Sequence, residues 1–81
     1  MRLPRDISGE DLIKKLRKLG YEINRQTGSH IRLNLRKSGQ EHHLTIPRHK
    51  SLRIGTLNNI LNDVAEHLSL SRDELIKSLF D

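Results

Sequence analysis

The most constraining feature of the sequence is a strictly alternating run near its middle, His30-Ile31-Arg32-Leu33-Asn34-Leu35-Arg36. Alternation with a period of two predicts a β-strand that is apolar on one face and polar on the other. The three apolar residues must therefore face a core. The opposite, outer face is basic and carries His30, Arg32, Asn34 and Arg36. An antiparallel sheet with one solvated side accommodates this pattern.

Turn-forming residues on both sides separate this strand from two shorter alternating runs. The segments Gln26–Ser29 and Lys37–Gln40 predict two turns. A short strand is predicted from Tyr21, with Tyr21 and Ile23 on one face, and a third strand is predicted over Glu41–Ile46. Three strands joined by short turns predict an antiparallel meander.

Helical periodicity precedes and follows the strands. A Ser8 cap and a left-handed Gly20 predict a first helix over Gly9–Leu19. After a basic loop over Pro47–Gly55, Thr56 is predicted to cap a second helix. Its apolar stripe is Leu57, Ile60, Leu61, Val64 and Leu68. The run Ser71-Arg72-Asp73-Glu74 is typical of a capping box and predicts a short last helix. This order predicts an α+β fold, and the absence of repeats and linkers predicts one domain over residues 1–81.

Charge is unevenly distributed along the chain. The net charge is +5, but residues 1–53 carry 13 basic and 5 acidic side chains, whereas residues 54–81 carry 2 basic and 5 acidic ones. Such a basic segment favours a nucleic acid or an acidic protein as partner, and it is equally typical of a merely solvated face. Because Tyr21 and Phe80 are the only aromatic residues, a base-stacking platform is disfavoured. A nucleic acid would be held mainly through its phosphates and sugars.

Two absences in the composition exclude whole classes of protein. The chain has no cysteine, which excludes disulfides, cysteine-ligated zinc and a thiolate nucleophile. Its apolar runs are too short for a signal peptide or a membrane span. We therefore expect a soluble, cytoplasmic protein with no membrane association.

The five histidines are the only side chains that ordinarily titrate near neutral pH. His42 and His43 are adjacent on a strand and so point to opposite faces, and no histidine or carboxylate spacing matches a metal site. We predict neither a metal nor a cofactor. His42 is interpreted as a hydrogen-bonded histidine at the core boundary, and His67 as a surface or boundary residue of the second helix.

His30 differs because it follows a Gly-Ser turn, begins a strand and shares the outer face with Arg32. A neutral imidazole can accept the proton of a ribose 2′-hydroxyl while a neighbouring guanidinium holds the phosphate. The alternative interpretation is a solvated histidine at a strand end beside a solvated arginine.

A larger set of motifs resembles the HicA toxin family, from about Ser8 to Leu79. The matching segments are Leu19-Gly20-Tyr21, Arg25–His30, Ile46–Lys50, Gly55-Thr56-Leu57 and Ile60-Leu61. The resemblance implies a fold like a double-stranded-RNA-binding domain with an additional short C-terminal helix. It also implies mRNA interferase activity and a HicB-like antitoxin that neutralises the toxin. The stretch Asn62–Ser71 is longer than usual for the family, which puts the packing of the last helix in doubt.

The resemblance also implies roles for individual residues. Gly28 and Ser29 match the family's active-site turn, and His30 matches its catalytic histidine. His30 is then the general base at the 2′-hydroxyl, in a metal-independent reaction that yields a 2′,3′-cyclic phosphate and a 5′-hydroxyl. The residues expected to bind RNA or support the site are Gly28, Ser29, Arg32, Lys37, Arg48, His49 and Lys50. DNA would be contacted only through the antitoxin, which would cover the basic outer surface.

Two other functions remain open at this point. One is a non-catalytic module that binds structured RNA and shares the expected fold. The other is a component that binds only an acidic partner protein and has no measurable RNA affinity at physiological salt. New RNA fragments in the presence of a chelator would indicate the nuclease, and a shifted band without fragments would indicate the binding module.

Overall fold

The computed structural model describes residues 3–80. Its elements are α1 (Gly9–Lys18), β1 (Glu22–Thr27), β2 (His30–Lys37), β3 (Gln40–Pro47), α2 (Ile54–Leu68) and α3 (Arg72–Phe80). The strands form one antiparallel sheet in the order β1-β2-β3. This confirms the predicted α+β architecture, whose layout is that of a double-stranded-RNA-binding domain with an added helix. In the described part of the chain, no helix is long and apolar enough to cross a membrane.

The core lies between the helices and the inner face of the sheet. The alternating residues of β2 are buried on that face, as their period requires, and Leu44 and Ile46 of β3 extend the same surface. The helical residues buried most completely against it are Leu12, Leu16, Leu57, Leu61, Val64 and Leu75. One face of the sheet is thus covered, and the other remains exposed.

The predicted signals at the ends of α1 and α3 are confirmed. The Ser8 hydroxyl accepts a hydrogen bond from the Asp11 N–H at 3.0 Å, and Gly20 has a φ of 109° just after α1. At α3, the Glu74 N–H donates to the Ser71 hydroxyl, and the Ser71 N–H donates to the Glu74 carboxylate, both at 3.1 Å. This is a complete capping box. Its hydrogen bonds to Ser71 lower the pKa of Glu74.

The predicted start of α2 at a Thr56 cap is wrong. The helix begins at Ile54, and Arg53 occupies the cap position without a side-chain hydrogen bond. Buried Leu52 fixes the preceding loop because its N–H donates to the Ile7 carbonyl at 2.8 Å. With the chain anchored there, the Leu57 N–H donates to the Arg53 carbonyl at 2.9 Å and closes the first helical turn.

Both hairpins are tighter than the turn-forming residues predict. Their turns contain only Gly28-Ser29 and Ser38-Gly39, so each strand extends into the predicted turn segments. Gly28 has a φ of 57°, and Ser38 and Gly39 have φ values of 53° and 78°. These left-handed conformations let two residues reverse an antiparallel pair. As a result, Gly28 and Ser29 lie directly before the first residue of β2.

A β-bulge at Asn24 alters the faces of β1. Tyr21 is buried, with 1% of its surface exposed, whereas Ile23 is 48% exposed. Ile23 does lie on the helix side, opposite Leu33, but β1 is an edge strand that the helices cover only in part. Asn24 is the extra, unpaired residue of the bulge, so Arg25 lies opposite the outward-facing Arg32 of β2. Arg25 therefore belongs to the outer face.

Candidate functional site

Five of the predicted site residues line one open cavity of about 470 Å³ at an end of the sheet. We call it the strand-end cavity, and it is lined by Ser8, Glu10, Gly28, Ser29, Arg48, His49 and Lys50. Three segments far apart in sequence meet there: the start of α1, the β1–β2 turn and the chain that follows β3. The structure thus brings together two of the segments that carry the family resemblance, Arg25–His30 and Ile46–Lys50.

Backbone hydrogen bonds join these three segments. The Arg48 N–H donates to the Ser29 carbonyl at 2.6 Å, which extends the β2–β3 pairing past the end of the strands. The Gly9 N–H donates to the His49 carbonyl at 3.0 Å, which fixes the same chain against the start of α1. The floor of the cavity is therefore held by main-chain contacts. The basic side chains around it can then contact a ligand without having to maintain its shape.

Ser8 and Glu10 are the two cavity residues that the sequence did not assign to the site, and Glu10 is the charged one. Its Oε1 accepts hydrogen bonds from Arg48 Nε at 3.1 Å and from Arg48 Nη2 at 2.5 Å, and both side chains are partly exposed. The charge of Arg48 is therefore partly offset by a carboxylate, while its role as a phosphate contact stays a prediction. No local signal could have revealed the pair, because 38 residues separate its members.

His30 lies outside the strand-end cavity. It is exposed on the outer face of the sheet, where it lines a smaller cavity of about 180 Å³ with Arg25, Thr27, Arg32 and Thr45. The predicted neighbourhood of His30 and Arg32 on one face is confirmed. Because His30 directly follows the Gly28-Ser29 turn, its cavity and the strand-end cavity lie on either side of this turn.

Lys37 does not belong to either of these cavities. It lies at the other end of β2 from His30, about 23 Å away for seven residues of extended strand. There it lines a separate cavity with Gln40, His67 and Ser69. Lys37 is therefore too far from His30 to contact the phosphate at that histidine, and its role as an RNA contact elsewhere stays a prediction.

His42 and His67 form a structural cluster on the helix side of the sheet. Tyr21 Oη lies 2.8 Å from His42 Nδ1, and the His42 ring stacks on His67 with centroids 4.4 Å apart. His42 Nε2 lies 3.1 Å from Asp63 Oδ1, within ion-pair distance but without hydrogen-bond geometry. Burial, and secondarily the Asp63 carboxylate, raise the pKa of Tyr21, so the phenol stays protonated at neutral pH. Both boundary-histidine interpretations are confirmed.

His43, the neighbour of His42, points to the opposite face, as its position on the strand predicts. It is exposed there and lines an outer-face cavity with Asn24, Arg25 and Arg32. Among residues 3–80, no group of three or more histidine, cysteine, aspartate or glutamate side chains could hold a metal ion.

Fold and site together define a small α+β protein that presents an exposed histidine beside an arginine on a basic sheet face. The family model described as the HicA toxin of bacterial toxin–antitoxin systems matches residues 9–65. This match spans more than half of the chain, so the chain belongs to the HicA toxin family and is the toxin of a toxin–antitoxin pair, with an antitoxin as its partner. The matched range includes the whole sheet and every lining residue of the two cavities beside the Gly28-Ser29 turn except Ser8, and it excludes α3. No curated protein and no solved structure matches the chain.

Proposed function

We propose that this toxin is an endoribonuclease that cleaves mRNA and thereby inhibits translation and growth, with His30 as the general base. The observation that carries the proposal is the position of His30. His30 is the first residue of β2, and its imidazole is exposed. The guanidinium of Arg32 lies on the same face, and both side chains line one cavity in a chain of a toxin family. This placement leaves room for a ribose and its phosphate.

The proposed reaction uses the substrate's own hydroxyl as nucleophile. His30 accepts the proton of a ribose 2′-hydroxyl, whose oxygen forms a bond to the adjacent phosphorus. The bond from phosphorus to the 5′-oxygen of the next nucleotide breaks, and that oxygen takes up a proton. The products are a 2′,3′-cyclic phosphate and a 5′-hydroxyl end. The guanidinium of Arg32 stabilises the negative charge that develops on the phosphoryl oxygens.

The strand-end cavity supports this reaction by binding RNA beyond the turn. Lys50 is exposed there, and its charge is available because no ion pair involving it occurs among residues 3–80. The carboxylate of Glu10 offsets part of the charge of Arg48, so Arg48 attracts a phosphate less strongly than Lys50 does. His49 is the candidate proton donor to the leaving 5′-oxygen, reached by RNA that bends around Gly28 and Ser29.

The proposed activity also defines the protein's partners and its location. mRNA is the substrate, and its cytoplasmic translation places the toxin in the cytoplasm. An active toxin would damage its own host, so the antitoxin must cover His30. We infer that this antitoxin is HicB-like, that it covers the basic outer face, and that any operator DNA is bound through it.

An RNA cleavage assay with wild-type protein and His30→Ala tests the proposal. Because the His30 side chain is exposed, we expect the variant to keep its circular dichroism spectrum and its antitoxin binding. Wild-type protein should cut RNA in the presence of a chelator, leave DNA of the same sequence intact, and arrest growth when expressed alone. The variant should do none of these. An active His30→Ala protein would refute the assignment of the base, and a shifted RNA band without fragments from wild-type protein would indicate a non-catalytic binding module.

A further inference from the structure

The outer face of the sheet carries a groove that continues beyond His30. The cavity lined by His30 adjoins a second cavity of about 490 Å³, and both are lined by Arg25 and Arg32. The other residues that line the second cavity are Asn24 and His43. We call the two together the outer groove. Asn34 lies four residues along β2 from His30 and pairs with His43, so the groove extends roughly 13 Å along the strand. This length exceeds what one phosphate at His30 would occupy.

The charges of the outer groove favour an anion. Two guanidinium and two imidazole side chains line it, and no carboxylate does. Within residues 3–80, neither Arg25 nor Arg32 forms an ion pair. Arg36 provides the contrast, since it lies farther along the same face and contacts Glu41 at 3.9 Å. Only the part of the sheet near His30 thus presents arginines without an acidic partner.

The pairing of the two arginines is unfavourable for the isolated chain. Arg25 lies directly opposite Arg32 in the β1–β2 register, and like charges at such positions repel each other. The bulge at Asn24 creates this arrangement, because a regular strand would place Asn24 opposite Arg32. The fold gains nothing from the pair, whereas a bound chain of phosphates would neutralise both charges.

We propose that the outer groove binds the ribose–phosphate chain of single-stranded RNA next to the bond that is cut. Arg25 and Arg32 contact phosphates adjacent to His30, and His43 contacts the strand at the far end of the groove. The proposal rests on the proposed function and adds Arg25 and His43 to the RNA-binding residues. It agrees with the absence of phenylalanine, tyrosine and tryptophan from the groove, because phosphate and sugar contacts need no stacking platform.

The test measures how RNA binding depends on salt. Its probe is a fluorescein-labelled single-stranded RNA in which 2′-O-methylation prevents cleavage, and its readout is anisotropy over a series of salt concentrations. Each phosphate contact contributes roughly 0.7 to the slope of log K against log salt for a single strand. We expect Arg25→Gln to weaken binding and to reduce the slope by roughly that amount. Arg36→Gln is the matched control, because it removes the same charge from the same face and should leave the slope unchanged.

The outcomes decide whether the outer groove binds RNA independently of whether the protein cleaves RNA. If Arg25→Gln and Arg36→Gln have equal slopes, the groove does not bind RNA, even if wild-type protein cleaves it. If Arg25→Gln weakens antitoxin binding and leaves RNA binding unchanged, the outer groove is a protein interface, and the proposal is wrong. If Arg25→Gln reduces the slope but wild-type protein cuts no RNA, the outer groove binds RNA and the nuclease proposal is wrong. His43→Gln should weaken binding of a long probe more than that of a dinucleotide, which is too short to reach it.

Discussion

Replacing Gly9 with alanine tests whether close backbone contact holds the strand-end cavity together. A Cβ at this position would lie 1.9 Å from the Pro47 carbonyl oxygen, 3.0 Å from its carbon and 3.2 Å from Arg48 Cα. These are main-chain atoms, which cannot rotate away as the end of a side chain can. Gly9 also has no positive φ, so sequence rules alone predict that alanine stabilises this helix position.

The structure predicts the opposite sign. Relief of the contact requires the oxygen to move by about 1.1 Å, from 1.9 Å to the 3.0 Å below which real Cβ contacts essentially never occur. Overpacking of this kind costs typically ~1–3 kcal/mol. A weakened hydrogen bond from the Gly9 N–H to the His49 carbonyl adds about 0.5–1.5 kcal/mol. The helix propensity of alanine returns about 0.5–1 kcal/mol. The expected net loss in the free energy of unfolding is therefore about 0.5–4 kcal/mol.

Urea unfolding followed by circular dichroism measures this loss, and Gly55→Ala is the matched control. Gly55 lies in the first turn of α2, has no positive φ, and has no atom within 4 Å of a built Cβ. We expect Gly55→Ala to raise the free energy of unfolding by about 0.4–1 kcal/mol. If Gly9→Ala is as stable as Gly55→Ala, the close approach of α1 to Pro47 is absent in solution, and our description of the cavity floor is wrong.

Two further predictions concern the hydrogen-bonded side chains of Tyr21 and Glu74. Tyr21→Phe should lower the free energy of unfolding by about 1–2 kcal/mol, because His42 Nδ1 loses its hydrogen-bond partner and stays partly buried. Urea unfolding midpoints will measure the loss. The raised pKa of Tyr21 means that wild-type protein has its full stability below the unfolded value of 10.0 and loses stability as the pH rises above it. Tyr21→Phe should lack this alkaline loss, and an identical pH profile would contradict the mechanism. The pKa of Glu74 is lowered, so its contribution is present above the unfolded value of 4.5 and is lost as the pH falls. Glu74→Gln should lower the melting temperature at neutral pH and reduce the dependence below pH 4.5, and an unchanged acid limb would refute the role of the capping box.

Local patterns predicted the parts of the site that lie on one regular element. The long alternation in β2 placed His30 and Arg32 on the same outer face, because an unbroken period of two leaves no ambiguity in side-chain direction. The same reasoning could not place Arg25 on the outer face, because the bulge inserts a residue into the period. The pairing of β1 with β2 determines which residue bulges, and the sequence of one strand alone does not contain that information.

Contacts between distant segments were also beyond the reach of local patterns. Glu10 has the appearance of an ordinary acidic residue in the first turn of a helix, a position that the helix dipole favours. Its contact with Arg48 depends on Gly9 docking against the chain after β3. The start of α2 likewise depends on Leu52 anchoring the loop, whereas the hydroxyl of Thr56 suggested a later start.

The bulge at Asn24 has a consequence for how relatives of this chain are compared. A relative with one residue fewer in β1 would form a regular strand and still present its arginine outward. A relative of the same length without the bulge would present that arginine toward α1, opposite Ile31, although its composition and net charge were identical. A gapless alignment would treat the second relative as equivalent and the first as altered. Insertions and deletions in this strand therefore have to be placed by strand pairing before the basic face of one toxin is assigned to another.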